Sequence, residues 1–202
     1  MITKDIAVQN LEKYLGQDLA KLANEFGITI YKEGKQNKGW KGLTLERLAG
    51  LESSNAQAQD GFNFELKSVA FYDKKEIFTP KETMAITMIN PEVLIKTPFF
   101  ESHCWDKLKS LVFCAVLWEG KNDITSKLLA IRAFDFEVSK ELVKEIEADY
   151  EFIRNKLTVH GFSSLTGKDG KLIQARTKGA GHGTISRAFY AKKALIKEIV
   201  KI

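Results

Sequence analysis

The sequence predicts a mixed α/β fold, a central sheet flanked by helices. Three observations carry that prediction. Residues 62–67, Phe-Asn-Phe-Glu-Leu-Lys, alternate apolar and polar, the period of a strand with one face in a core. Ser110 to Trp118 is an apolar run of strand length. Val143, Ile146, Tyr150, Ile153 and Leu157 recur at steps of three and four, the stripe of a long amphipathic helix.

The remaining elements follow in order. Residues 3–26 read as two short helices. Thr3 can cap the first, Leu19, Leu22, Ala23 and Phe26 stripe the second, and Gly27 ends it. Residues 32–39 form a polar loop, and Trp40, Leu43, Leu45 and Leu48 mark a third helix that carries Glu46. Residues 50–61 are polar and turn-rich. After the opening strand comes a charged turn at Asp73–Glu76, then strands over Thr83–Ile89, Leu111–Trp118 and Lys127–Phe136. Ser139 is placed to cap the long helix. A turn at Gly167–Gly170 leads to a strand over Lys171–Arg176 and a glycine-rich loop at residues 178–183. Ser186 is expected to cap a last, basic helix with Ala188, Ala191, Leu195 and Ile199 inward. No repeat, low-complexity linker or domain boundary interrupts the chain.

With 202 residues, 44% hydrophobic and 28% charged, the chain can bury the core of one domain, or of one domain with a small lobe. No apolar run is long enough to span a bilayer, and residues 1–10 lack the apolar core of a signal peptide, so a cytoplasmic protein is expected. Cys104 and Cys114 alone make neither a disulfide framework nor a zinc site, and His103, His160 and His182 share no ligand spacing. The net charge is +5, but the last 36 residues hold nine Lys/Arg against Asp169 and Glu198, so the rest of the chain is close to neutral. A basic end on a neutral body is either a solvated basic helix or a footprint for a polyanion.

Residues two apart on a strand share a face, so Glu65 and Lys67 point together, away from Phe64 and Leu66. Asp60 precedes them and can fold back near Glu65 across a turn at Gly61. Two carboxylates repel unless a cation lies between them. Magnesium suits such a pair, and an ammonium beside it can orient a water or stabilise a phosphorane, which is what phosphodiester hydrolysis needs. The bland alternative is an exposed strand face with a cross-strand salt bridge. The Gly179–Gly183 loop is open in the same way: its amides could approach phosphate, or it could be a tether.

Five stretches in order resemble the mismatch-repair endonuclease MutH and the type II restriction enzymes that share its fold: residues 37–50, 59–68, 101–112, 171–176 and 186–193. The resemblance implies a restriction-endonuclease-like central mixed sheet with a small N-terminal helical lobe. It implies one domain over residues 1–202, with a catalytic lobe to about 135 and a basic DNA-reading part from about 165. It implies magnesium-dependent cleavage of double-stranded DNA, typically at GATC, leaving 5′-phosphate ends, with manganese able to substitute. Asp60 and Glu65 match the family's metal-binding carboxylates, with the Leu66 carbonyl as third ligand and Glu46 in support. Lys67 matches its catalytic lysine and Lys107 a further active-site lysine. Lys38, Arg176 and Tyr190 fall in segments where the family meets DNA. Lys178, Arg187 and Lys192 are expected to contact DNA as well, the helix from Ser186 presenting its N-terminus and Arg187 to phosphate and Lys192 adding non-specific affinity.

Two roles compete within that class. A type II restriction enzyme cuts both strands, usually as two copies on the DNA. A mismatch-repair enzyme nicks one strand and waits for a partner ATPase. The segment from Arg176 to Arg187 is shorter and richer in glycine than in MutH, which tilts the expectation to restriction. A DNA-binding module without catalysis is the rival from another class.

Overall fold

The computed structural model describes residues 2–51, 63–120, 125–178 and 186–201. The elements run α1 (Lys4–Glu12), α2 (Leu19–Glu25), β1 (Tyr31–Lys32), β2 (Lys35–Gln36), α3 (Trp40–Ala49), β3 (Glu65–Lys74), β4 (Ile77–Pro80), β5 (Met84–Met88), α4 (Pro91–Lys96), α5 (His103–Asp106), β6 (Ser110–Leu117), β7 (Leu128–Asp135), α6 (Lys140–His160), β8 (Ile173–Thr177), β9 (Arg187–Ala191) and α7 (Lys193–Val200). The fold is mixed α/β, as expected. It comprises two compact units: Met1–Glu82 with Ser110–Phe134 and Ile199–Ile202, and Thr83–Lys109 with Asp135–Glu198.

The first unit is built on a sheet of order β4-β3-β6-β7. β3 and β6 run parallel, with Lys67 opposite Phe113, and β4 returns antiparallel to β3. Phe64, Leu66 and Ala70 join Val112, Cys114 and Val116 in one apolar cluster with Leu11, Leu22, Trp40, Leu45 and Leu48 of α1–α3. That face therefore belongs to the helical lobe. Glu65, Lys67, Val69 and Phe71 point the other way, as the alternation predicts. Thr3 caps α1, its hydroxyl accepting from the Ile6 N–H at 3.4 Å. Gly50, at φ +85, closes α3 in the left-handed conformation that glycine adopts without strain. The polar stretch after residue 30 is a hairpin rather than a loop. Glu33 and Gly34 both take positive φ, 51° and 72°, which matches a two-residue turn to the strand twist.

The second unit holds a sheet of order β5-β9-β8, antiparallel throughout. α6 presents Val143, Ile146, Tyr150, Ile153 and Leu157 inward, the predicted stripe. Ser139 occupies the cap position of α6 but makes no side-chain cap bond. Phe99 packs edge-on or tilted against Phe100, Trp105 and Tyr150, and Tyr150 stacks on Phe189 of β9. The last helix does not begin at Ser186. Residues 187–191 form a central strand, and α7 starts at Lys193. The alanines that favour helix locally are instead the small, buried residues of a strand between two neighbours, so tertiary pairing overrides propensity.

Both cysteines are buried and free. Burial pushes the Cys114 thiol up to about 12 and raises that of Cys104 further. Since the thiolate is the reactive form, a disulfide reagent such as DTNB should label neither thiol in the native protein and both after unfolding in guanidinium. Burial likewise raises the Tyr150 hydroxyl to about 12, from an ordinary value of 10. The unfolded chain then loses these protons first, so stability should fall as pH rises above about 9.

Candidate active site and nucleic-acid interface

β3 delivers Glu65 and Lys67 side by side. The Lys67 ammonium donates to Glu65 Oε1 at 2.8 Å, with the two side chains 20% and 4% exposed. The bland alternative, an exposed strand face, does not describe this pair: Glu65 is buried and Lys67 largely so. A carboxylate this far from water is strongly penalised unless it is paired, and Lys67 supplies the charge it needs. Leu111 and Phe113, opposite Glu65 and Lys67 on β6, are fully buried.

Glu46 is half-buried on α3, within the helical layer over the Phe64/Leu66 face of the same sheet. Lys107 caps α5 in the second unit, half-buried, its backbone N–H donating to the His103 carbonyl. Asp60 lies outside the described residues. Among the described residues no cluster of three or more His, Cys, Asp or Glu is set to hold a metal. What the structure offers a cation is a buried hard-oxygen donor, the Glu65 carboxylate, and that donor chemistry fits magnesium or manganese.

The residues expected to meet DNA divide. Arg176 is exposed on β8, donates to Thr83 Oγ1 at 3.1 Å, and lies 5.1 Å over the ring of Tyr190 on β9. Lys178 is exposed just beyond the strand, its N–H bonded to the Ser186 carbonyl. Arg187 is different. It is buried in β9, donates to the Ser163 carbonyl at 2.9 Å and stacks 5.2 Å over Phe162, while its Nε and Nη1 have no hydrogen-bond partner among the described residues. It stands on a strand, not at a helix N-terminus, so the expected presentation to phosphate is corrected. Lys192 is half-buried, its ammonium donating to the Gly170 carbonyl at 2.6 Å.

Lys38 is exposed at the mouth of a cleft of about 490 Å³ in the first unit, lined also by Gln36, Trp40, Lys41, Ser68 and Lys81. The cleft opens on the N-terminal end of α3, where Gly39 provides no side-chain cap. Lys41 and Lys81 were not legible as part of one site, because residue 81 lies forty positions away and only the β3–β4 return brings it back.

Exposed lysines and arginines on a mixed α/β fold, with a buried carboxylate–ammonium pair on β3, suit an enzyme that acts on DNA, and the comparison with known proteins gives its class, a DNA endonuclease of restriction-endonuclease-like fold. The family model described as "DNA mismatch repair enzyme MutH" matches residues 48–149. The chain belongs to that MutH family. It is 26% identical over 204 residues to the DNA mismatch repair protein MutH of Vibrio cholerae serotype O1, covering 98% of this chain and 88% of the relative. It is 20% identical to that of Histophilus somni (96% and 92% covered) and 26% identical to that of Salmonella paratyphi C (88% and 76%). These names favour the mismatch-repair role over the restriction role that the short C-terminal segment had suggested. The fold of this family generally works with a divalent metal ion. No helix among the described residues is long and apolar enough to cross a membrane.

Proposed function

We propose that this protein is a magnesium-dependent endonuclease of the mismatch-repair type, nicking the unmethylated strand of double-stranded DNA at GATC, as one domain in the cytoplasm. The buried Glu65–Lys67 pair at 2.8 Å carries this reading. Magnesium, held by Asp60, Glu65 and the Leu66 carbonyl with Glu46 in support, would supply Lewis acidity and a template at the scissile phosphate. Manganese would substitute. Lys67 then orients the attacking water, while Lys107 neutralises charge on the phosphate. Loss of the 3′ oxygen as leaving group yields a 5′-phosphate. Arg176, Lys178 and Tyr190 contact DNA from β8–β9, and Lys38 from the cleft at α3.

Restriction at GATC or a related site is the second reading, favoured by the short, glycine-rich segment before Arg187. One experiment separates them. Purified protein is incubated with magnesium and unmethylated GATC plasmid, with and without a mismatch-repair ATPase. Slow nicking that accelerates with the ATPase supports the repair role. Full-length linear product at low enzyme concentration supports restriction by paired copies. Plasmid left intact with both magnesium and manganese, despite DNA binding, leaves a binding module without catalysis.

A further inference from the structure

We propose that a buried charge knot beneath β8 positions the strand pair that meets DNA, and that Lys192 acts through this knot rather than on a phosphate. The proposal rests on reading β8–β9 as the DNA-contacting ribbon.

The knot forms where α6 passes the turn before β8. Asp149, buried in mid-helix, accepts from three consecutive backbone N–H groups: Lys171 at 2.7 Å, Leu172 at 2.6 Å and Ile173 at 2.9 Å. Asp169 accepts from the Thr166 N–H and pairs with the Lys156 ammonium, each at 2.6 Å. Lys192 closes the turn from the far side. Its ammonium donates to the Gly170 carbonyl at 2.6 Å and its N–H to the Leu172 carbonyl at 2.7 Å. Gly170 takes φ +70, and a Cβ there would collide with the Ile173 carbonyl and stand 2.9 Å from Asp149 Cγ. The turn as folded thus has room for glycine alone at this position.

The turn leads directly into the register of the ribbon. Ile173 pairs with Ala191, Gln174 with Tyr190 and Arg176 with Ala188. A slip of one residue would turn Arg176 to the opposite face and separate it from Tyr190. Two buried carboxylates are a poor way to gain stability, since apolar side chains of similar volume often do as well or better. They are a good way to specify one register. Lys192 already commits its ammonium to the half-buried Gly170 carbonyl, so it contributes alignment rather than counterion release.

The test compares salt dependence. DNA binding is measured in EDTA, to prevent cleavage, over a range of salt for wild type, Lys192→Met and Lys178→Met. A lysine that contacts phosphate contributes about one unit to the slope of log K against log salt. Lys178→Met should lower that slope by about one. Lys192→Met should weaken binding about tenfold and leave the slope unchanged. A slope lowered by about one in Lys192→Met, or unaltered affinity, overturns the proposal. Asp149→Asn, which replaces one accepting oxygen by a donor, should raise KM for DNA about tenfold with kcat within about threefold. A fall in kcat at unchanged KM overturns it, and should this variant fail to fold, the Lys192 series decides alone. Arg176→Ala separates the underlying reading. If Arg176→Ala leaves affinity unaltered, the ribbon reading falls and the knot has nothing to position. If it weakens binding while Lys192→Met does not, only the knot falls.

Discussion

Lys67→Met should abolish strand cleavage, by about 10³-fold or more, and destabilise the protein in the same step. The two effects share one cause. The Lys67 ammonium pairs at 2.8 Å with a carboxylate that is 4% exposed. Removing it takes away the group proposed to orient water, and positioned proton-transfer groups are worth about 10²–10⁴-fold. It also leaves Glu65 buried without that charge, and breaking a buried pair from one side costs about 3–5 kcal/mol. Lys67 keeps some solvent contact, so a loss of about 2–3 kcal/mol is expected. Adding Glu65→Gln should return most of the stability, because the amide needs no counter-charge, and none of the activity. Denaturant unfolding in EDTA alongside plasmid nicking gives both readouts. A Lys67→Met protein of undiminished stability would show that Glu65 does not depend on this ammonium.

Phe113→Ala should cost about 3–5 kcal/mol, the usual range for a fully buried aromatic truncated to alanine. Phe113 stands opposite Lys67 in the parallel β3–β6 pair, is fully buried, and meets Phe71 edge to face with ring centroids 6.4 Å apart. The cavity would open next to Lys67 in the strand register and admit water beside the buried Glu65 carboxylate. The melting temperature should drop by about 10 °C, at 2–4 °C per kcal/mol for a chain of this size. Nicking should fall even at temperatures where the variant is folded. Phe113→Leu, which keeps most of the volume, should recover much of both. Unchanged melting of Phe113→Ala would mean that the site collapses around the missing ring.

How much of this was legible beforehand depends on the range of the forces involved. The strand at Glu65, the stripe of α6 and the run at residues 110–118 were readable because each is a periodicity over neighbours in sequence. So was the shared direction of Glu65 and Lys67, which needs only the pleat of one strand. Their burial was not, because Phe113 and Leu111 reach them through a pairing more than forty residues distant. The segment Arg187–Ala191 read as helix for the same reason: its alanines favour helix alone, and only β5 and β8 on either side make it a strand. With that error went the expected exposure of Arg187. The role of Lys192 was hidden too, since its carbonyl partner belongs to a turn twenty-two residues earlier. The resemblance supplied the family and the nuclease class. The lean to restriction came from a loop length, a feature that varies easily among relatives.

The parallel pairing of β3 with β6 also orders events during synthesis. Between these strands the chain leaves the first unit for Thr83–Lys109, which belongs to the second. The strand bearing Glu65 therefore waits on the ribosome with its partner edge open until β6 has emerged, and a parallel, long-range closure of this kind is slow. An apolar edge left uncovered for that interval invites association between nascent chains, so yield of soluble protein should improve when translation is slowed by lower growth temperature.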